Sequence, residues 1–278
     1  MSHDHDRGLA HDLTVLADFA ARRRALLKWG LGLGALPLLA CAGSSVGSGD
    51  TTTDGAAGAG SDASNTGTDS CAATVPEETQ GPYPGDGTNG ANALALSGIV
   101  RSDITSSLGD ATGVAEGVPL TVTLTIVDGQ NGCKPLAGYA VYIWHCDRAG
   151  NYSMYSAAAA SENYLRGVQE TDENGQVTFK TIFPACYSGR WPHIHFEVYP
   201  SLAVATSGNN KLATSQLAMP EDDCNDVFAT AGYEASVRNL TQVSLDSDMV
   251  FADGASLETP SMSGGVSSGY VAKLSVTI

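Results

Sequence analysis

Between Gly189 and Val198 the chain reads Gly-Arg-Trp-Pro-His-Ile-His-Phe-Glu-Val. Side chains alternate between the two faces of a strand, so His193 and His195 point the same way and Ile194 points the other. The two imidazoles can therefore reach one metal ion. Tyr187 lies six residues before His193, Arg190 lies three before it, and Tyr152 follows Gly150-Asn151 after an earlier strand. Two phenols, two imidazoles and a guanidinium suggest a ferric iron site. A phenol, with a pKa of ~10, is a poor ligand until a strong Lewis acid removes its proton. Fe(III) is hard and highly charged enough to do this, and imidazole completes the set.

Strands must position these groups. Leu120–Ile126 alternates apolar residues with threonine and reads as a half-buried strand. Residues 140–144, 177–182 and 194–199 are also strand-like, and Tyr270, Ala272, Leu274, Val276 and Ile278 share one face of a C-terminal strand. Turn signals separate them at Asp128-Gly129, Asn131-Gly132, Asn174-Gly175 and Asp253-Gly254. One short helix is expected within 221–238. Many short strands with turn-rich connections predict an all-β fold, a β-sandwich of mostly antiparallel strands. The candidate ligands then fall at strand ends and in adjoining loops, where functional groups usually sit on such a scaffold.

Composition narrows the partners. A chain of 278 residues with 42% hydrophobic content can bury one large β domain. Its formal charge of −16 argues against a nucleic-acid partner. Arg22-Arg23-Arg24-Ala25-Leu26-Leu27-Lys28 precedes an apolar run from Trp29 to Ala40. That run is shorter than the ~20 residues of a membrane-spanning helix and has the anatomy of an export signal. The arginine pair resembles a twin-arginine signal, and Leu38-Leu39-Ala40-Cys41 resembles a lipobox that would attach lipid to Cys41. Residues 42–70 are mostly Gly, Ala, Ser, Thr and Asp and read as a flexible tether, leaving 71–278 as the folded domain. The expected location is the cell envelope, with a membrane contact through the N-terminal lipid. Cys71, Cys133, Cys146, Cys186 and Cys224 then meet an oxidising compartment, and none shows zinc-type spacing.

Charge counting extends the iron reading. A ferric ion with two phenolates and one hydroxide is neutral. It stays neutral when a catechol dianion displaces the hydroxide and one phenolate, whose bases take up the two catechol protons. Such a site binds catechols without leaving net charge in a low-dielectric pocket.

Several longer segments carry a specific resemblance. They are Pro76-Glu-Glu-Thr-Gln-Gly-Pro-Tyr83, Val141 to Tyr152, Leu165-Arg-Gly-Val-Gln-Glu-Thr-Asp-Glu-Asn-Gly175, Thr181 to His195, and Thr214-Ser-Gln216. Across 71–217 the chain resembles the intradiol ring-cleavage dioxygenase family in its exported branch. The resemblance implies that Tyr152 is the phenolate that stays on iron and Tyr187 the one that leaves and acts as base. It makes His193 and His195 permanent ligands, and gives Arg190 the task of stabilising negative charge on the substrate ring. Gln216 and Tyr83 become pocket residues. The implied reaction joins both atoms of O2 to a catechol and opens the ring between its two hydroxylated carbons to a muconate-type diacid.

Two features depart from that pattern. Only Ser188 and Gly189 separate Tyr187 from Arg190, where cytoplasmic members carry longer insertions, and Ala218 stands where many relatives carry an aromatic. His145 is read as a non-ligand, because His193 and His195 fill both imidazole places, and Trp144 as core rather than substrate platform. Cys186 adjoins Tyr187 and Cys224 follows the strand bearing Gln216, so a Cys186–Cys224 disulfide is expected. Cys133–Cys146 is the second pairing, with Cys71 left over. The competing function is an inactive envelope module that binds ferric iron or catecholates; oxygen consumption separates the two.

Overall fold

Leu120, Val122, Leu124 and Ile126 are buried and the threonines between them are half-buried, so β1 (Pro119–Asp128) faces a core on one side only. The computed structural model describes residues 73–278; the expected export signal, Cys41, the 42–70 tether and Cys71 lie outside the described residues. Strand β1 is central to the first sheet. It pairs antiparallel with β2 (Lys134–Pro135) and β5 (Gln176–Ile182), and parallel with β9 (Gly269–Thr277), which pairs with β8 (Ser261–Gly265). The second sheet runs β4 (Arg166–Glu170), β3 (Ala140–Trp144), β6 (His193–Tyr199), β7 (Ala213–Ala218), all antiparallel. This is the expected β-sandwich, with a parallel pair in one sheet.

The second sheet is buried on both faces. Every residue of β3, β6 and β7 is buried. Val141, Ile143, Ile194, Phe196 and Val198 meet Val122, Leu124 and Phe179 of the first sheet in the sandwich core. Each such side chain contributes roughly 1.5–3 kcal/mol by leaving water. Tyr142 and Trp144 share the opposite face with His193, His195, Glu197 and Tyr199, by strand alternation. There Tyr142, Trp144 and Tyr199 cluster with Leu94, Ile99 and Tyr152, which belong to covering loops. The candidate site is therefore on the outer face of the second sheet, roofed by loops.

Two expectations change. The helix within 221–238 is two helices, α1 (Glu221–Phe228) and α2 (Glu234–Leu240). Gly232 between them has φ +95°, outside helical space. The adjacent Tyr233 is buried, and its hydroxyl donates to Phe183 O at 2.8 Å while accepting from Val118 N at 3.2 Å. Packing of that phenol interrupts the helix.

The disulfide expectations fail. Cys146, Cys186 and Cys224 are free and buried, while Cys133 is disulfide-bonded. Neither Cys186–Cys224 nor Cys133–Cys146 forms, and the partner of Cys133 lies outside the described residues. Each free thiol instead faces a backbone carbonyl: Cys146 Sγ that of Ala185 at 3.6 Å, Cys186 Sγ that of Arg190 at 3.5 Å, Cys224 Sγ that of Met219 at 3.8 Å. Burial, helped by Asp248, pushes the Cys186 thiol up to about 12, so it is not a reactive thiolate. Alkylation of native protein should leave these three cysteines untouched, and alkylation after unfolding without reductant should label all three. A Cys186–Cys224 linked peptide in the digest would refute the free-thiol assignment.

Candidate metal centre

The two histidines sit at the N-terminal end of β6, which antiparallel pairing fixes between β3 and β7: Trp144 lies opposite His195, and Gln216 opposite His195 on the other side. Trp144 is fully buried and its ring lies parallel to the His195 ring, 4.7 Å away. It is core, as expected, and it also sets the plane of one imidazole. His193 Nδ1 donates to Trp191 O at 2.5 Å, which leaves the Nε2 lone pair free to face the site. His145 turns away: Nδ1 donates to Cys146 O at 2.8 Å and Nε2 accepts from Thr181 Oγ1 at 2.7 Å. Both of its ring nitrogens are engaged elsewhere.

The tyrosines arrive on loops. An Asp147 turn precedes Tyr152, with Asp147 Oδ1 accepting from the backbone of Ala149 and Asn151, each at 2.9 Å. Gly150 in this turn has φ +88°, and a Cβ there would stand 3.2 Å from Tyr187 Cβ. Glycine thus lets the Tyr187 loop close against the Tyr152 loop. Tyr152 is buried and Tyr187 half-buried. Tyr152 Oη and Tyr187 Oη lie 3.3 and 3.4 Å from His193 Nε2, and His195 Nε2 lies 3.1 Å from the same atom.

These four atoms fit a metal ion. Donors bonded at about 2 Å to one cation stand roughly 3 Å apart, the spacing seen here. Among the described residues no group of three His, Cys, Asp or Glu could hold a metal; the donors that accompany the two imidazoles here are the two phenols. His195 Nδ1 is buried without a hydrogen-bond partner, as a ring oriented by its Nε2 would leave it. Burial, then the charge of Arg190, lowers His193 to about 3; burial, then His193, holds His195 well below the usual imidazole range. Both are neutral and ligand-ready near pH 7. Burial pushes Tyr187 up to about 12 against the pull of Arg190, and burial with Tyr187 nearby holds Tyr152 well above the usual phenol range. Only a strongly acidic cation would ionise such phenols near neutral pH, so these donors fit a hard, highly charged ion such as iron(III).

Arg190 and Gln216 are brought to the same place. Arg190 is buried; Nη2 donates to Gln216 Oε1 at 2.7 Å, and Gln216 Nε2 donates to Thr79 O at 2.8 Å. Its Nε donates to Asp248 Oδ2 at 2.9 Å in a buried ion pair. Asp248 is the residue the sequence did not reveal. Its Oδ2 also accepts from Trp191 N at 2.6 Å, and its Oδ1 from Val250 N at 2.8 Å and Phe251 N at 3.3 Å. Burial works to raise its carboxyl, but Arg190 and the Trp191 N–H outweigh burial and hold it below the usual range. Nothing in the sequence links it to an arginine 58 residues away. Tyr83 is half-buried, its ring 5.0 Å from that of Tyr152 and 5.3 Å from that of Tyr155. Ala218 is buried in a cluster with Trp191, Val250 and Phe251, so aromatic bulk beside it comes from other positions.

Residues 100–252 match a family profile described as Dioxygenase. An intradiol ring-cleavage dioxygenase from Tetranychus urticae shares this fold with a TM-score of 0.57 at 28% identity, over 74% of this chain and 95% of that one. Catechol 1,2-dioxygenase from Acinetobacter baylyi is 30% identical over 132 residues, 41% of this chain and 40% of that protein. Catechol 1,2-dioxygenase 2 from Acinetobacter lwoffii is 37% identical over 62 residues, 22% of each chain. The matches thus span well under half the length of these two curated relatives. The chain belongs to the intradiol ring-cleavage dioxygenase family.

Asp248→Ala should leave the Arg190 guanidinium buried without its carboxylate and the backbone amides of Trp191, Val250 and Phe251 without their acceptor. A loss of about 3–5 kcal/mol is expected in denaturant melts, with a smaller loss for Asp248→Asn. An Asp248→Ala protein as stable as wild type would show that the pair bears no load.

Proposed function

We propose that the protein is a non-haem Fe(III) dioxygenase that opens the ring of catechol-type aromatics between the two hydroxylated carbons, giving muconate-type diacids. The observation that carries this reading is the meeting of two phenol oxygens and two imidazole nitrogens, three of them 3.1–3.4 Å from His193 Nε2. Bound there, ferric iron would supply the Lewis acidity that ionises phenols and catechol and prepares the ring for O2. The overall reaction balances without added reductant, because the diacid holds all atoms of catechol and O2.

The protein's own residues divide the remaining work. Tyr152 is buried beneath Tyr83, so it is suited to stay in place. Tyr187 is half-buried on the loop before β6, so it can swing out and take a catechol proton. The neutral imidazoles hold their positions through Trp191 O and the Trp144 ring. Arg190, aligned by Asp248 and Gln216, offers a fixed positive charge where electron density shifts on the substrate. Tyr83 and Tyr155 form an aromatic wall beside Tyr152.

Iron-loaded protein should be reddish from phenolate-to-iron charge transfer and should consume O2 in step with catechol. Tyr187→Phe should keep part of its iron yet lose about 10²-fold in turnover, the usual contribution of a positioned base. Tyr152→Phe should alter the visible band even with substrate bound. Stoichiometric iron with no O2 uptake from any catechol would favour the binding-module reading instead; full occupancy by zinc would exclude the ferric one.

A further inference from the structure

Arg166 is the second arginine buried near the site, and it has no acidic partner among the described residues. Its side chain is 1% exposed. Every N–H of the guanidinium meets a neutral oxygen. Nε donates to Ser153 Oγ at 3.0 Å; Nη1 donates to Pro84 O at 2.7 Å and Tyr142 Oη at 3.1 Å; Nη2 donates to Tyr83 O at 3.0 Å and Ser153 O at 2.9 Å. A guanidinium has five N–H donors in a rigid planar fork, and here all five are used. Burying a charge without a carboxylate is unfavourable, so a mere volume-filling role would be met better by an apolar side chain.

The acceptors belong to three separate stretches, the third being strand β3 with Tyr142. Tyr83 and Pro84 lie on the loop that presents the aromatic wall, and Ser153 directly follows Tyr152. Tyr142 supports the same point from below, donating from its hydroxyl to Pro84 O at 2.8 Å. The loop is crowded onto the guanidinium: a Cβ on Gly85 would stand 2.6 Å from Nη1. The guanidinium also lies 5.4 Å from the Tyr155 ring centre, which completes the wall. Three sequence segments of the family pattern, those ending at Tyr83, ending at Tyr152 and containing Arg166, thus meet at one side chain.

We propose that Arg166 is a positioning residue that sets the spacing between the Tyr152 ligand and the Tyr83 wall of the substrate pocket. It acts through the geometry of its fork rather than through its charge alone. A lysine has three donors on one atom and cannot reach both backbone stretches and Ser153 Oγ together. The proposal rests on the ferric dioxygenase reading above, and wild-type protein assayed in parallel separates the two: no colour and no O2 uptake in wild type would count against that reading.

The test compares Arg166→Lys and Ser153→Ala with wild type, as iron-loaded protein. Arg166→Lys should raise KM for catechol by about tenfold and weaken ferric binding to the apo-protein by a similar factor in a colour titration. Its kcat should change less, and its charge-transfer band should move. Ser153→Ala removes only the acceptor of Nε and should shift the same quantities in the same direction by less. Should Arg166→Lys fail to fold, Ser153→Ala carries the test. Folded Arg166→Lys with wild-type KM, band and iron affinity would overturn the proposal. So would activity falling only in proportion to folded protein in both variants, with KM and band unmoved.

Discussion

Four donor atoms share one small space, three of them on buried side chains and one on the half-buried Tyr187, and removal from water favours the uncharged form of each. His193 Nε2 is their common neighbour, and its tautomer is fixed from behind by Trp191 O. Lone pairs gathered this closely would be satisfied by a cation at their centre, as the proposed function requires. The phenols lose their protons only if that cation is strongly acidic. Much of the surrounding structure serves this constraint. Trp144 holds one ring flat, Gly150 lets two loops approach, and Asp248 ties Arg190 and the Trp191 backbone to the segment after α2.

Strand β6 joins the site to the fold. Its even residues, Ile194, Phe196 and Val198, pack in the sandwich core, and its odd residues begin with the two histidines. A slip of one residue in register would carry both imidazoles into the apolar layer. The hydrophobic core thus fixes the register that turns both imidazoles to the candidate site, and stability and the proposed chemistry share one strand. Arg166 and Asp248 extend this rigidity outward, each binding segments distant in sequence at a single buried side chain.

The sequence revealed what is periodic or locally patterned. Strand β1 shows its alternation openly, because one face meets the core and the other is half exposed. His193-Ile194-His195 declared its geometry for the same reason. Strand β7, Ala-Thr-Ser-Gln-Leu-Ala, was expected as the strand bearing Gln216, but its two faces could not be told apart, since both are buried and it has no period to read. Strand β8 is rich in serine and glycine and owes its place to β9. The break between α1 and α2 was hidden because it depends on Tyr233 reaching Phe183 and Val118, contacts between distant residues. The thiols were misjudged for a similar reason: nearness in the fold does not aim two sulfurs at each other, and each here points to a carbonyl. Asp248 and the five contacts of Arg166 are tertiary facts with no local signature.

The most direct measurement is iron K-edge X-ray absorption on the ferric-loaded protein, compared with Tyr187→Phe and His195→Gln. Convergence of Tyr152, Tyr187, His193 and His195 on one ion predicts a first shell of nitrogen and oxygen at about 2 Å. It also predicts outer-shell scattering from two imidazoles that drops to one in His195→Gln. An iron environment unchanged by either substitution would contradict it.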